Sequence, residues 1–135
     1  MEATTTEVHT GWPVRVVPIA GKGRGVIAQR TFQPGELIER APVIVIGPGD
    51  WAQVEPTSLY DYAYAWGEAG DHAAYALGYG GLYNHSYAPN ARYVRREPER
   101  ELDIVCVRAV QVGDEICVNY NGDPEDQAPV WFDVK

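Results

Sequence analysis

The chain predicts a mainly β domain of many short strands with one or two short helices. Three observations carry this: apolar stretches rich in β-branched residues recur along the sequence, turn-forming residues separate them, and a single region has helical spacing. The stretches are VRVV at 14–17, GVIA at 25–28, LIERAPVIVI at 37–46, LDIVCVRAV at 102–110 and EICVNY at 115–120. Each is short and bounded by Gly, Pro or charge, as strands are. Between them lie AGKGRG, FQPGE, GPGD, REPERE and QVGDE, whose Gly, Pro and Asp supply the dihedrals and local hydrogen bonds of tight reversals. The helical region is PTSLYDYAYAWGEAG at 56–70. It has a Pro-Thr-Ser start, helix-compatible spacing of Leu59, Tyr62 and Trp66, and a glycine stop at Gly67 or Gly70.

A length of 135 residues fits one domain, and 45% hydrophobic composition is that of a globular chain with a real core. No apolar run approaches the roughly 20 residues that cross a bilayer. The start, MEATTTEVHTGW, has neither a basic nor an apolar export segment, so an intracellular, non-secreted protein with no membrane partner is expected. Cys106 and Cys117 lie in separate strand-like stretches without a C-x-x-C pair and read as small core residues. Nineteen acidic against eleven basic residues give a net charge of -8, and the only lysines are Lys22 and Lys135. Such a surface argues against direct binding of nucleic acid and leaves a cationic partner open.

Several segments carry chemistry-bearing groups. GKGRG sets Gly21, Gly23 and Gly25 around two cations just before a strand, which is a hairpin turn or a place where backbone approaches a ligand closely. NHSYAPN groups Asn84, His85, Ser86 and Asn90 after the apolar, glycine-rich ALGYGGLY. It is an Asx-rich loop, or a polar loop held against the core where a ligand completes its hydrogen bonds. Tyr120 ends a strand ahead of NGDP, either as packing or with its hydroxyl facing a cleft where it orients a substrate amine. Eight of the nine tyrosines fall between residues 60 and 93, a pattern that suits a core edge and also a channel. His9 lies in the tail and His72 in a short polar turn, so no Ser-His-Asp or Cys-His arrangement assembles and hydrolysis has little support.

In order, GKGRGVIAQRTFQPGELI, LGYGGLYNHSYAPNARY and VRAVQVGDEICVNYNGD resemble the successive signatures of the SET-domain protein lysine methyltransferases. The resemblance spans about residues 12–123, which leaves 1–11 as a flexible N-terminal tail and 124–135 as a short C-terminal flank. With DW at 50–51 and DY at 61–62, the compact chain is most similar to the small viral and bacterial members. The resemblance implies several small curved sheets and a knot-like threading of the C-terminal segment beside NHSYAPN. It implies S-adenosylmethionine as cofactor, held by Lys22, Gly23, Arg24, Gly25, Asn84, His85 and Trp131, where Trp131 and Phe132 either fold back over the cofactor or the lysine channel as an aromatic lid or belong to a loose C-terminal tail. Tyr120 matches the tyrosine where cofactor and lysine channel meet, and Tyr62 and Tyr79 are expected to line that channel. Tyr87 follows Asn-His-Ser where zinc-binding relatives carry Cys, so no metal is expected. The Tyr-x-Gly of many members is replaced within ERAPVIVI, so the channel must draw its tyrosines from the 60–93 cluster.

The implied reaction moves a methyl group to the ε-amine of a lysine in a basic protein or peptide, histone-like, DNA-associated or ribosomal. Its demands are alignment and a deprotonated amine. The rival readings are a non-catalytic peptide-binding module of the same shape and a structural β-domain without cofactor. A homodimer is expected, because so short a chain leaves its channel with few walls.

Overall fold

The computed structural model describes residues 12–134, and the expected tail at 1–11 lies outside the described residues. Among the described residues nine strands form three sheets, joined by two short helical segments. The hairpin of β1 (Val14–Ile19) and β2 (Gly23–Ala28) is antiparallel, with Val14 opposite Ala28 and Ile19 opposite Gly23. Its turn is closed by the Lys22 N–H donating to the Ile19 carbonyl at 3.0 Å.

The longest strand, β3 (Leu37–Ile46), organises a five-stranded sheet of order β4-β5-β3-β8-β7. Its first half pairs with β8 (Glu101–Cys106) and its second half with β5 (His72–Ala76), after a register shift between Leu37 and Glu39. A strand that serves different partners along its length bends, and this sheet is strongly curved. Its outer strands, β4 (Tyr64–Trp66) and β7 (Ala91–Arg96), come face to face. The rings of Tyr64 and Tyr93 meet edge to face at 4.9 Å, and Arg95 Nε of β7 donates to the Ala65 carbonyl of β4 at 2.6 Å.

The third sheet pairs β6 (Asn84–His85) in parallel with β9 (Cys117–Val118), so the C-terminal segment runs beside NHSYAPN. Asn90 locks the crossing: its Nδ2 donates to the Glu115 carbonyl and its Oδ1 accepts from the Cys117 N–H, both at 2.9 Å. On the other side the Ile116 N–H donates to the Val26 carbonyl, tying this segment to β2. Phe32, Tyr83, Leu102, Ile104, Ile116 and Val118 fill the core between the sheets, and both cysteines are buried free thiols. The expected mainly β architecture of small curved sheets with short helices is observed. No described helix is long and apolar enough to cross a membrane.

The local differences have local causes. GPGD, expected as a turn, begins the helix α1 (Pro48–Val54), with Pro48 in its first turn where no N–H is needed. Within 56–70 only Ser58–Tyr62 is helical, as a 3₁₀ turn whose cap Thr57 accepts the Leu59 N–H. Tyr64 to Trp66 form a strand instead, because Tyr64 and Trp66 turn inward while Ala65 faces out, a period of two. His72 opens β5 and pairs with Trp66, so it is not in a turn. Strands β5 and β7 were not among the expected stretches: the alanines of HAAYA and the arginines of ARYVRR dilute the β-branched pattern.

Candidate active site

The β1–β2 turn, β6, the 3₁₀ turn and the C-terminal segment converge on one cavity of about 420 Å³. Its walls include Lys22, Gly23, Arg24, Asn84, Tyr120 and Trp131. The polar wall is a chain of partners. Lys22 Nζ pairs with Glu115 Oε1 at 3.0 Å, while Asn84 Nδ2 donates to Glu115 Oε2 at 2.7 Å and to the Arg24 carbonyl at 2.9 Å. Glu115 thus joins three segments that are far apart in sequence.

Glycine is required at two places in this wall. Gly23 has φ +78, which a side chain would strain. Gly25 has ordinary dihedrals, but a Cβ there would sit 2.6 Å from Glu115 Oε2 and 2.7 Å from both Asn84 Nδ2 and Ile19 Cγ1. Backbone and network therefore touch directly at Gly25.

A second cavity, of about 350 Å³, opens where β4 and β7 face each other. Tyr62, Tyr64, Tyr83, Tyr93 and Tyr120 line it. Their hydroxyls hold the rings in place. Tyr64 donates to the Gly80 carbonyl at 2.7 Å, Tyr83 to Glu39 Oε1 at 2.7 Å and Tyr93 to the Tyr120 carbonyl at 3.2 Å. Burial pushes the phenols of Tyr64, Tyr83 and Tyr93 above their ordinary range and raises the Glu39 carboxyl as well.

Tyr120, Tyr62, Asp61, Gly81 and Trp131 border both cavities. The Tyr120 hydroxyl donates to the Tyr83 carbonyl at 2.7 Å, and its phenol pKa is well raised, by burial first and by neighbouring acidic groups second. From below, His85 Nδ1 accepts the Tyr120 N–H at 2.9 Å. His85 is 3% exposed, and its Nε2 is buried with no hydrogen-bond partner among the described residues. Burial, then the Lys22 charge, lower its pKa, so it is the neutral imidazole that meets Tyr120. His85 borders a smaller adjoining cavity together with Lys22, Asn84 and Phe132.

The C-terminal segment closes these spaces. Trp131 stacks on Tyr120 with ring centroids 5.8 Å apart, and its Nε1 donates to Asp61 Oδ1 at 3.1 Å. Phe132 sets its edge against His85 and Tyr120. Asn119 Nδ2 and Asn121 Nδ2 donate to the carbonyls of Asp126 and Ala128, which fixes the path of the segment.

A family model described as SET domain matches residues 23–121. The chain belongs to the SET-domain family. A histone-lysine N-methyltransferase of Schizosaccharomyces pombe, described as specific for lysine 37 of H3, is 28% identical over 122 residues, covering 90% of this chain and 78% of its own length. A crystal structure of a candidate histone methyltransferase from Plasmodium falciparum superposes with a TM-score of 0.63 and 28% identity, covering 80% of this chain and 92% of that one. Membership makes the chain a protein-lysine N-methyltransferase, and enzymes of the family use S-adenosylmethionine.

Of the residues singled out in this SET domain's sequence, Lys22, Gly23, Arg24, Asn84, Tyr120 and Trp131 come together at the first cavity, with Gly25 packed just behind its wall. Tyr62 lines both cavities. Tyr79, expected at the channel, is elsewhere: its ring packs edge-on against Trp12 at 5.6 Å and its N–H donates to Glu39 Oε2. Its turn faces the back of Glu39, and it lines neither cavity. Sequence reasoning missed Glu115, Asp61, Tyr64, Tyr83, Tyr93 and Arg95. The tyrosine cluster pointed to the three rings without choosing among its members, whereas nothing in GDE marks Glu115 as a hub. Among the described residues no group of three or more His, Cys, Asp or Glu is placed to hold a metal.

Proposed function

We propose that the first cavity binds S-adenosylmethionine and the second admits the target lysine of a basic protein, which is methylated at its ε-amine. A cofactor with a carboxylate, a cationic centre and a flat base fits the first cavity chemically. Lys22 and Arg24 offer positive charge, the glycine turn offers close backbone, and Trp131 and Phe132 offer ring faces. His85, with an unpartnered buried Nε2, borders the adjoining space. Lys22, Gly23, Arg24, Gly25, Asn84, His85 and Trp131 are the residues that would hold it. When bound, it supplies a methyl group on a positively charged sulfur, open to in-line attack.

The remaining work falls to this chain's own residues. The tyrosine-lined cavity removes water from the entering amine, which disfavours the ammonium form, and the nearby cationic centre lowers its pKa further. Tyr120 is the observation that carries the reading. Its hydroxyl proton is committed to the Tyr83 carbonyl, so toward the cavity its oxygen acts as an acceptor. An amine N–H directed to that oxygen leaves the nitrogen lone pair free to face the first cavity. The raised pKa keeps the phenol protonated, so Tyr120 orients the amine and is not a general base. Trp131, stacked on Tyr120, narrows the passage to one approach line, the alignment that in-line transfer requires. Tyr62 shapes the room around the amine and with it the number of methyl groups accepted.

The acidic surface, net charge -8, favours approach of a basic partner. The S. pombe relative, named for a histone lysine, supports a chromatin-like substrate. The same proposal includes an intracellular site of action, a likeness to the small viral and bacterial members, and a homodimer, which light scattering at micromolar concentration tests directly. The deciding experiment is a methylation assay on histones and other basic proteins with S-adenosylmethionine, read by mass spectrometry. Added mass in units of one methyl on lysine is the expected result. No transfer by a chain that still gains thermal stability from the cofactor would sink the substrate half of the reading.

A further inference from the structure

Charge in the second cavity is sparse: of its lining residues, Asp61 and Arg95 alone carry it. Elsewhere among the described residues Lys22 and three arginines are matched to carboxylates, while Arg108, which lies outside this cavity, donates to the carbonyls of Pro89 and Ala88. Arg40 pairs with Asp103 at 2.8 Å, Arg96 with Glu101 at 3.2 Å, Arg30 with Glu36 at 3.4 Å and Lys22 with Glu115 at 3.0 Å. Arg95 differs. Its Nε is spent on the Ala65 carbonyl, and its guanidinium lies over the Tyr93 ring, 5.3 Å from the ring centre. Among the described residues no carboxylate forms an ion pair with it.

These contacts fix the head group at the rim of the cavity. A guanidinium carries five N–H donors in a planar fork, so a head anchored through Nε still has donors to present, and their preferred ligand is a carboxylate. In a chain with nineteen acidic residues, an arginine held at the cavity rim by a carbonyl and a tyrosine is set up to meet an acid from outside. Asp61, bordering both cavities, suits the cationic lysine itself, and Oδ1 of that carboxylate already holds Trp131. The groove is thus bipolar.

Resting on the reading of this cavity as the lysine site, we propose that Arg95 is a specificity-determining residue that binds a substrate carboxylate, so that the preferred lysine has an Asp or Glu close by in an otherwise basic segment. If compact, a cavity of about 350 Å³ is roughly 9 Å across, which at about 3.3 Å per extended residue puts that acid within about three positions of the lysine.

The test is a set of peptides with one lysine in a fixed basic background and Glu, Gln or Lys placed in turn at each of the three positions on either side. The kcat/KM of each is measured for the wild type, Arg95→Glu and Arg95→Ala. The wild type is expected to favour Glu over Lys at one position by about 1.5- to 5-fold, the range for an ion pair at a partly exposed rim. Arg95→Glu should reverse that ranking and Arg95→Ala flatten it. A reversal cannot come from partial misfolding, which lowers all peptides alike. Transfer by the wild type with no ranking at any position, or the same ranking in all three proteins, overturns the assignment while leaving lysine methylation intact. No transfer to any peptide or basic protein would remove the underlying reading, and this proposal with it.

Discussion

The first cavity takes its shape from main chain, glycine and a charge network, whereas the second takes it from tyrosine rings tied down by their hydroxyls. At Gly25 the network approaches so closely that one added carbon meets three atoms below 3 Å. At the second cavity the rings of Tyr64, Tyr83, Tyr93 and Tyr120 are each held by a hydrogen bond from the hydroxyl, and the space between rings is set by side chains. The lesson is a division of tolerance. A wall in which backbone packs against a hydrogen-bonded network accepts added volume only if that network shifts, while one made of rings accepts changes of volume but not of hydroxyl placement.

That contrast predicts opposite failures. Gly25→Ala should be the most damaging change, because overpacking against Glu115, Asn84 and Ile19 costs up to about 3 kcal/mol, roughly 150-fold if expressed wholly in cofactor affinity. Isothermal titration with S-adenosylmethionine measures it, and unchanged affinity would mean that the wall yields and the contrast is false. Tyr120→Phe should do the reverse, leaving cofactor affinity near wild type while single-turnover methylation slows roughly 5- to 150-fold, the equivalent of about 1 to 3 kcal/mol. Wild-type turnover in this variant would reduce Tyr120 to packing.

Asn84→Ala removes two hydrogen bonds from the network and should cost about 1 to 2 kcal/mol, seen as loss of most of the cofactor-induced rise in melting temperature. A full rise in the folded variant removes Asn84 from the site. The smallest effect is on pH dependence. His85 has a lowered pKa when folded, so the unfolded chain takes up its proton first as pH falls. Stability from this group is complete above the unfolded value of about 6.5 and declines below it by at most about 1.4 kcal/mol per pH unit until the folded value is passed. Urea midpoints between pH 7.5 and 5.5 should therefore fall more steeply in wild type than in His85→Gln, and equal slopes would place the titration elsewhere.

The parts of the site legible in the sequence were those carried by short contiguous motifs that resemble the family's signatures. The glycine turn, the Asn-His pair and the strand-ending Tyr120 stand out locally, but each also reads as a turn, an Asx loop or packing, and it is the family resemblance that joins them; the structure brings them together around adjoining cavities. Residues defined by distant partners were not legible. Glu115 reads as an ordinary acid in a turn, and only its contacts with Lys22 and Asn84 reveal it. Trp66 fits a helical spacing with Leu59 and Tyr62 and an alternating one with Tyr64, and pairing with β5 decides between them. Tyr79 was chosen from a cluster in which residue type alone cannot distinguish a ring facing Trp12 from one facing the groove.

The parallel pairing of β6 with β9 also sets an order of events in folding. Hairpins β1–β2 and β7–β8 close short loops, but β9 must find β6 from far along the chain, and Asn90 can bond Glu115 and Cys117 only once it does. All five strands of the large sheet end by Cys106, so a chain emerging from the ribosome can assemble that sheet before β9 and Tyr120 are available to meet β6 and His85. The protein then holds its shape before it holds a reaction centre, and the final strand converts one into the other.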